Sequence, residues 1–90
     1  SKSTRETSRR VLEAVAPMLE SQEDWSNEAL FELLKTFAQA QGLKVGTVMW
    51  PIRTALSGQE TSPGGATELA SLMRKEESLR RIRLGLNKLA

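Results

Sequence analysis

The sequence predicts an all-α fold, a single compact bundle of about five short helices. Three observations carry that prediction. Apolar residues recur at three- and four-residue spacings in successive segments, helix start and stop signals divide those segments, and neither strand-like alternation nor an internal repeat occurs in the 90 residues. At this length about 60% of the unfolded surface is buried on folding, enough for one core.

In the first segment Val11, Leu12, Val15, Met18 and Leu19 make the stripe, which ends near Ser21. Pro17 either kinks this helix or opens its last turn. Residues 1–8 have no apolar anchor and are expected to fray. The polar stretch "ESQEDWS" connects to a second helix. Ser26 is its N-cap, and Trp25 with Leu30 occupy the N′ and N4 positions of a hydrophobic staple. Trp25 is therefore read as structural rather than as a base-stacking platform. Leu30, Leu33, Leu34 and Phe37 form the buried stripe, and Gly42 followed by Leu43 reads as a Schellman stop.

The third helix places Val45, Val48, Met49, Ile52, Ala55 and Leu56 toward the core and ends at Gly58. Pro51 removes one helical hydrogen bond and is expected to bend it. Trp50, Arg53 and Ser57 share another face, expected to point outward beside a glycine-rich turn. Beyond that turn Ser62 and Pro63 read as N-cap and N1, with Gly64 and Gly65 delaying the next helix to about Ala66. Leu69, Leu72 and Met73 are expected to line the apolar side of helix four. A break near Arg74 and Lys75 then precedes a fifth helix with Leu79, Ile82, Leu86 and Leu89 inward. There Glu76 with Arg80, and Glu77 with Arg81, stand four apart as ion pairs.

Composition narrows the chemistry. The chain has no cysteine and no histidine, which excludes disulfides, thiol nucleophiles, Ser-His-Asp triads and the common zinc sites. Its eleven carboxylates are scattered, and no glycine-rich phosphate-binding motif is present, so no active site is expected. No apolar run approaches a membrane span and no secretory signal leads the sequence, so a cytoplasmic location and no membrane partner are expected. The polar start at Ser1 reads as that of a piece of a longer protein. Residues 1–43 sum to −2 and residues 44–90 to +4, a weak pointer from the second half toward a polyanion.

From Gly42 onward, "GLKVGTVMWPIRTALSGQETSPGGATELASLMRKEESLRRI" resembles the C-terminal anticodon-binding domain of bacterial-type glutamate–tRNA ligases. The residues that carry the resemblance are Pro51 and Arg53 in "PIRTALSG", "SPGG" at 62–65, Glu68 and Leu69, and "KEESLRRI" at 75–82. Residues 1–41 agree only in helical pattern. Where many relatives have glycine before K-E, this chain has Arg74.

The resemblance implies a tRNA partner, the anticodon loop of a glutamate tRNA, and a parent class I synthetase. The catalytic domain of that parent, with its ATP and magnesium, lies outside this chain, so no cofactor is expected here. It singles out Arg53 and the loop residues Ser62, Pro63 and Gly64, then Gly65, as groups near the anticodon. Trp50, beside Arg53 but not one of the residues the resemblance rests on, is either a stacking ring or a partly buried packing residue, and Arg74 is a candidate backbone contact. A bare loop lets RNA approach main-chain N–H and C=O groups, a helix N-terminus offers N–H donors to phosphate, and a guanidinium can pair with or stack on an unstacked base. For Arg53 the alternative is a solvated helix arginine; for Pro63 and the glycines it is turn geometry. For the whole chain it is a monomeric helical module that binds protein through the Trp50 face and has no RNA role. A DNA-reading module is disfavoured, because the most basic helix spends Arg80 and Arg81 near glutamates instead of presenting a row of base-reading groups.

Overall fold

The computed structural model describes residues 5–58 and 65–89. Among these there are four helices and no strand: α1 (Arg5–Ser21), α2 (Asn27–Ala40), α3 (Val45–Ser57) and α4 (Ala66–Leu89). The expected fourth and fifth helices are the two halves of α4, separated at Arg74, whose φ of 73° and ψ of 170° leave the helical region. The described part of the expected frayed segment, Arg5–Ser8, forms the first residues of α1, and Ser8 is buried.

Local signals end the helices where expected. The Ala29 N–H donates to the Ser26 side-chain oxygen at 3.2 Å, which caps α2. At its other end Gly42 has φ 68°, the Leu43 N–H donates to Ala38 O at 2.8 Å and the Gly42 N–H to Gln39 O at 3.2 Å. These two bonds are the Schellman pattern. Gly58 closes α3 at φ 75° with its N–H on Thr54 O at 2.7 Å. Only residues without a Cβ take these angles at little cost.

α3 and α4 share the most extensive interface, and α1 and α2 each pack on both of them. The core runs from Leu12 and Val15 of α1 through Val48, Ile52 and Leu56 of α3 to Leu30 and Leu34 of α2 and Ile82 of α4, all at most 2% exposed. Truncating one such leucine to alanine removes about 2–5 kcal/mol. Gly85 lets α4 lie close to α3, since a Cβ there would stand 3.1 Å from that of Ala55.

Leu72 departs from expectation. It is 81% exposed, because small Ala66 and Ala70, with Met73, set the direction in which the first half of α4 faces the core. At about 100° per residue Leu72 falls on the opposite side. Of the two expected ion pairs, Glu77 with Arg81 forms and Glu76 with Arg80 does not. Glu77 holds both Arg80, at 2.6 Å, and Arg81, at 2.7 Å, so Arg80 pairs three residues back rather than with Glu76.

The break at Arg74 is fixed from two sides. The Trp25 indole N–H donates to Ala70 O at 2.9 Å, and the buried Ser78 hydroxyl lies 2.6 Å from Arg74 O and 3.2 Å from Ala70 O. Lys75 lies over the Trp25 ring, 5.7 Å from its centroid, and donates to Gln22 O at 2.9 Å. Trp25 is thus structural, as its staple position implies. Arg81 reaches across to Leu56 O at 2.6 Å, bonding a carbonyl in the last turn of α3.

Candidate nucleic-acid interface

Three elements converge on a groove of about 620 Å³. α3 contributes Met49, Trp50 and Arg53, and the start of α4 contributes Gly65 to Glu68. α2 supplies Asn27 and Phe31, with Lys44 from the link that follows it. Trp50 and Arg53 meet there because residues three apart share a helix face. That face is not fully outward: both side chains are half-buried, the Arg53 Nε is enclosed, and Arg53 makes a further interaction within the domain.

The groove lies where two helix N-termini meet. The Thr67 hydroxyl donates to Asn27 Oδ1 at 2.6 Å, tying the first turn of α4 to the first residue of α2. Gly65 stands at the N-cap position, with the Leu69 N–H on its carbonyl at 3.0 Å and its own N–H on Glu68 Oε1 at 2.9 Å. This is the N3 half of a capping box, and it starts α4 at Ala66 as expected. It also changes the chemistry expected of this helix end, since the Gly65 N–H is held by a carboxylate rather than offered to a phosphate. Among the described residues Lys44 and Arg53 are the cations that line the groove and Glu68 the carboxylate, among mostly apolar walls. Such a lining suits a neutral planar base with a phosphate at the rim.

Of the residues singled out from the sequence, Trp50, Arg53 and Gly65 come together here. Ser62, Pro63 and Gly64 lie outside the described residues, as does the expected N-cap role of Ser62. Arg74 does not line the groove. It is exposed in a separate depression with Glu77, Arg80 and Arg83, where both neighbouring arginines have carboxylate partners: Glu77 binds Arg80, as well as Arg81, and Arg83 pairs with Glu20. Hydrogen bonds from Arg80 and Arg81 lower the Glu77 carboxyl to about 2, and the Glu77 bond raises the Arg80 guanidinium in turn.

Sequence reasoning passed over Phe31, Asn27 and Lys44. The available signal was angular. Asn27 and Phe31 stand four apart on α2, and Phe31 lies about 100° round the helix from Leu30, at the flank of the apolar stripe. It is 41% exposed, whereas Leu30 and Leu34 are buried. Trp50 also lines a second depression of about 690 Å³ between α1, α3 and the end of α4, floored by Leu12, Ala55 and Leu56 and rimmed by Arg5, Arg80, Arg81 and Lys88.

Residues 1–86 match the anticodon binding domain family. The chain belongs to that family. It is 48% identical over 88 residues to the glutamate–tRNA ligase of Clostridium novyi (strain NT), an alignment that covers 98% of this chain and 18% of that protein. It is 47% identical over 88 residues to the glutamate–tRNA ligase of Clostridium botulinum (strain Loch Maree / Type A3), with the same coverage. With the glutamate–tRNA ligase of Clostridium tetani (strain Massachusetts / E88) it shares 42% over 84 residues. The chain therefore spans under a fifth of the length of these curated relatives. As an anticodon-binding domain it extends the likeness seen after Gly42 to the first two helices, where only periodicity had been legible. Among the described residues no helix is long and apolar enough to cross a membrane, and no group of three or more carboxylates is placed to hold a metal ion.

Proposed function

We propose that this chain binds the anticodon loop of a glutamate tRNA as the C-terminal domain of a glutamate–tRNA ligase. The observation that supports this reading best is the groove in which Arg53, Trp50 and the Gly65 turn meet, on a domain whose relatives bear that name. Anticodon bases are single-stranded and can be splayed into such a groove. There an arginine plane stacks or pairs with a base edge, and nearby cations hold the sugar-phosphate chain. Ser62, Pro63 and Gly64, between α3 and Gly65 in the sequence, then meet the bases through main-chain groups, and Arg74 contacts the RNA backbone outside the groove.

In this reading the parent enzyme attaches glutamate to tRNA in the cytoplasm, with ATP and magnesium held by a catalytic part outside this chain. This piece acts as a monomer and supplies recognition only. It adds affinity to contacts made elsewhere on the same tRNA by raising their effective concentration.

The test is binding of a fluorescent anticodon stem-loop across a salt series. Neutralising two to four phosphates gives a slope of log affinity against log salt of about −1.4 to −3, at roughly −0.7 per contact. Binding without salt dependence, or equal binding of a loop with its three anticodon bases replaced, refutes the reading. One observation favours the protein-interaction alternative: the second depression has an apolar floor and includes Leu84, which is 46% exposed. That alternative requires a salt-insensitive partner and no preference for the RNA.

A further inference from the structure

We infer that Phe31 is a base-stacking platform of this groove, a role that rests on the anticodon-binding reading and that no sequence motif assigns. The ring is 41% exposed on a helix whose other large apolar residues, Leu30, Leu33, Leu34 and Phe37, are buried or packed against the core. It lines the groove from α2 while Trp50 and Arg53 line it from α3, so two aromatic rings and a guanidinium border one cavity from two helices. At about 620 Å³ the cavity has room for more than one base.

Its neighbours fit the same ligand. Lys44 brings a positive charge to the same groove, for the phosphate that accompanies each stacked base. Asn27, one helical turn before Phe31, has its oxygen occupied by the Thr67 hydroxyl, which leaves its amide N–H groups as donors for a base carbonyl or ring nitrogen. An exposed phenyl ring flanked by a cation and an amide donor matches an unstacked nucleobase, because every base offers a π-face with polar atoms at its edge. A protein partner would use the apolar ring but gain nothing from the cation and the amide together unless it were itself acidic.

The experiment uses the 90-residue chain and a glutamate anticodon stem-loop carrying 2-aminopurine at each anticodon position in turn. Stacking on Phe31 quenches or shifts the fluorescence of one position. Phe31→Leu keeps apolar bulk and loses the π-face, and is expected to weaken binding roughly 5- to 150-fold and abolish the signal at that position. Phe31→Trp restores both. In the wild-type complex, nuclear Overhauser contacts between Phe31 ring protons and one base are expected, a readout that needs no variant and stands even if Phe31→Leu folds poorly. Wild-type binding with no such contacts, or Phe31→Leu binding within twofold of wild type, overturns the inference while leaving anticodon recognition in place. A wild-type chain that ignores the stem-loop overturns both.

Discussion

Arg53 and Arg74 illustrate two ways in which one arginine is fixed by its backbone. Arg53 projects from the third turn of α3 into the groove, half-buried and engaged within the domain, so its guanidinium is pre-positioned at little further entropic cost. Arg53→Ala is expected to weaken anticodon stem-loop binding by about 1–3 kcal/mol while the circular dichroism spectrum stays helical. Arg53→Lys keeps the charge but loses the planar fork, so it should recover only part of that loss. Full recovery by lysine would reduce the role to electrostatics. Arg74 is held at φ 73° and ψ 170°, a region that only glycine occupies without strain. Arg74→Gly should therefore raise stability by about 1 kcal/mol, read as a higher urea midpoint at unchanged m-value. If Arg74 also touches the RNA backbone, the same variant binds the stem-loop more weakly at low salt. A lower midpoint would show that the arginine side chain holds the break together.

At the scale of elements, the helix limits that were legible are those fixed by local chemistry: both ends of α2 and the C-terminus of α3. Ser26, Gly42 and Gly58 each act through their own backbone or the next turn, so a short window of sequence specifies them. α4 was less legible because its direction is set from elsewhere. Trp25 from the link before α2 and Ser78 from its own second half satisfy the carbonyls of Ala70 and Arg74 at the break, and the alanines that face the core leave Leu72 in solvent. The second half of α4 carries a pH-dependent element in Glu77, which holds Arg80 and Arg81, while Arg81 bonds Leu56 O near the end of α3. With its carboxyl lowered from 4.5 to about 2 by those arginines, Glu77 stabilises the fold above about pH 4.5, and that contribution is lost as pH falls toward 2. Glu77→Gln should therefore melt at a lower temperature than the parent at pH 7. The gap should narrow below pH 4.5 and close near pH 2. A gap constant across that range would assign the difference to packing rather than to charge.

At the scale of the molecule, a core of aliphatic side chains shared by all four helices holds one groove open where two helix N-termini and the middle of α3 converge. Arg53 and Gly65 could be named from sequence because a motif carries them, and Trp50 because it stands three residues before Arg53 on the same helix face. For Phe31 and Asn27 periodicity marks only a position at the flank of the α2 stripe; that this flank and Lys44 face the groove depends on how α2 leans against α3 and α4, which periodicity does not encode. The charge asymmetry toward the second half of the chain is real, yet much of it is consumed internally by Glu77, and Arg83 pairs with Glu20 in α1. The groove's own cations thus matter more than net charge. Whether the anticodon loop occupies this groove is read from amide chemical-shift mapping of the chain during titration with a glutamate anticodon stem-loop. Shifts are expected to concentrate at Asn27, Phe31, Lys44, Thr47 to Trp50, Ile52, Arg53 and Gly65 to Glu68, and to fall greatly when the three anticodon bases are replaced. Shifts confined to the depression between α1, α3 and the end of α4, or the same pattern with any loop sequence, would contradict anticodon binding in the groove.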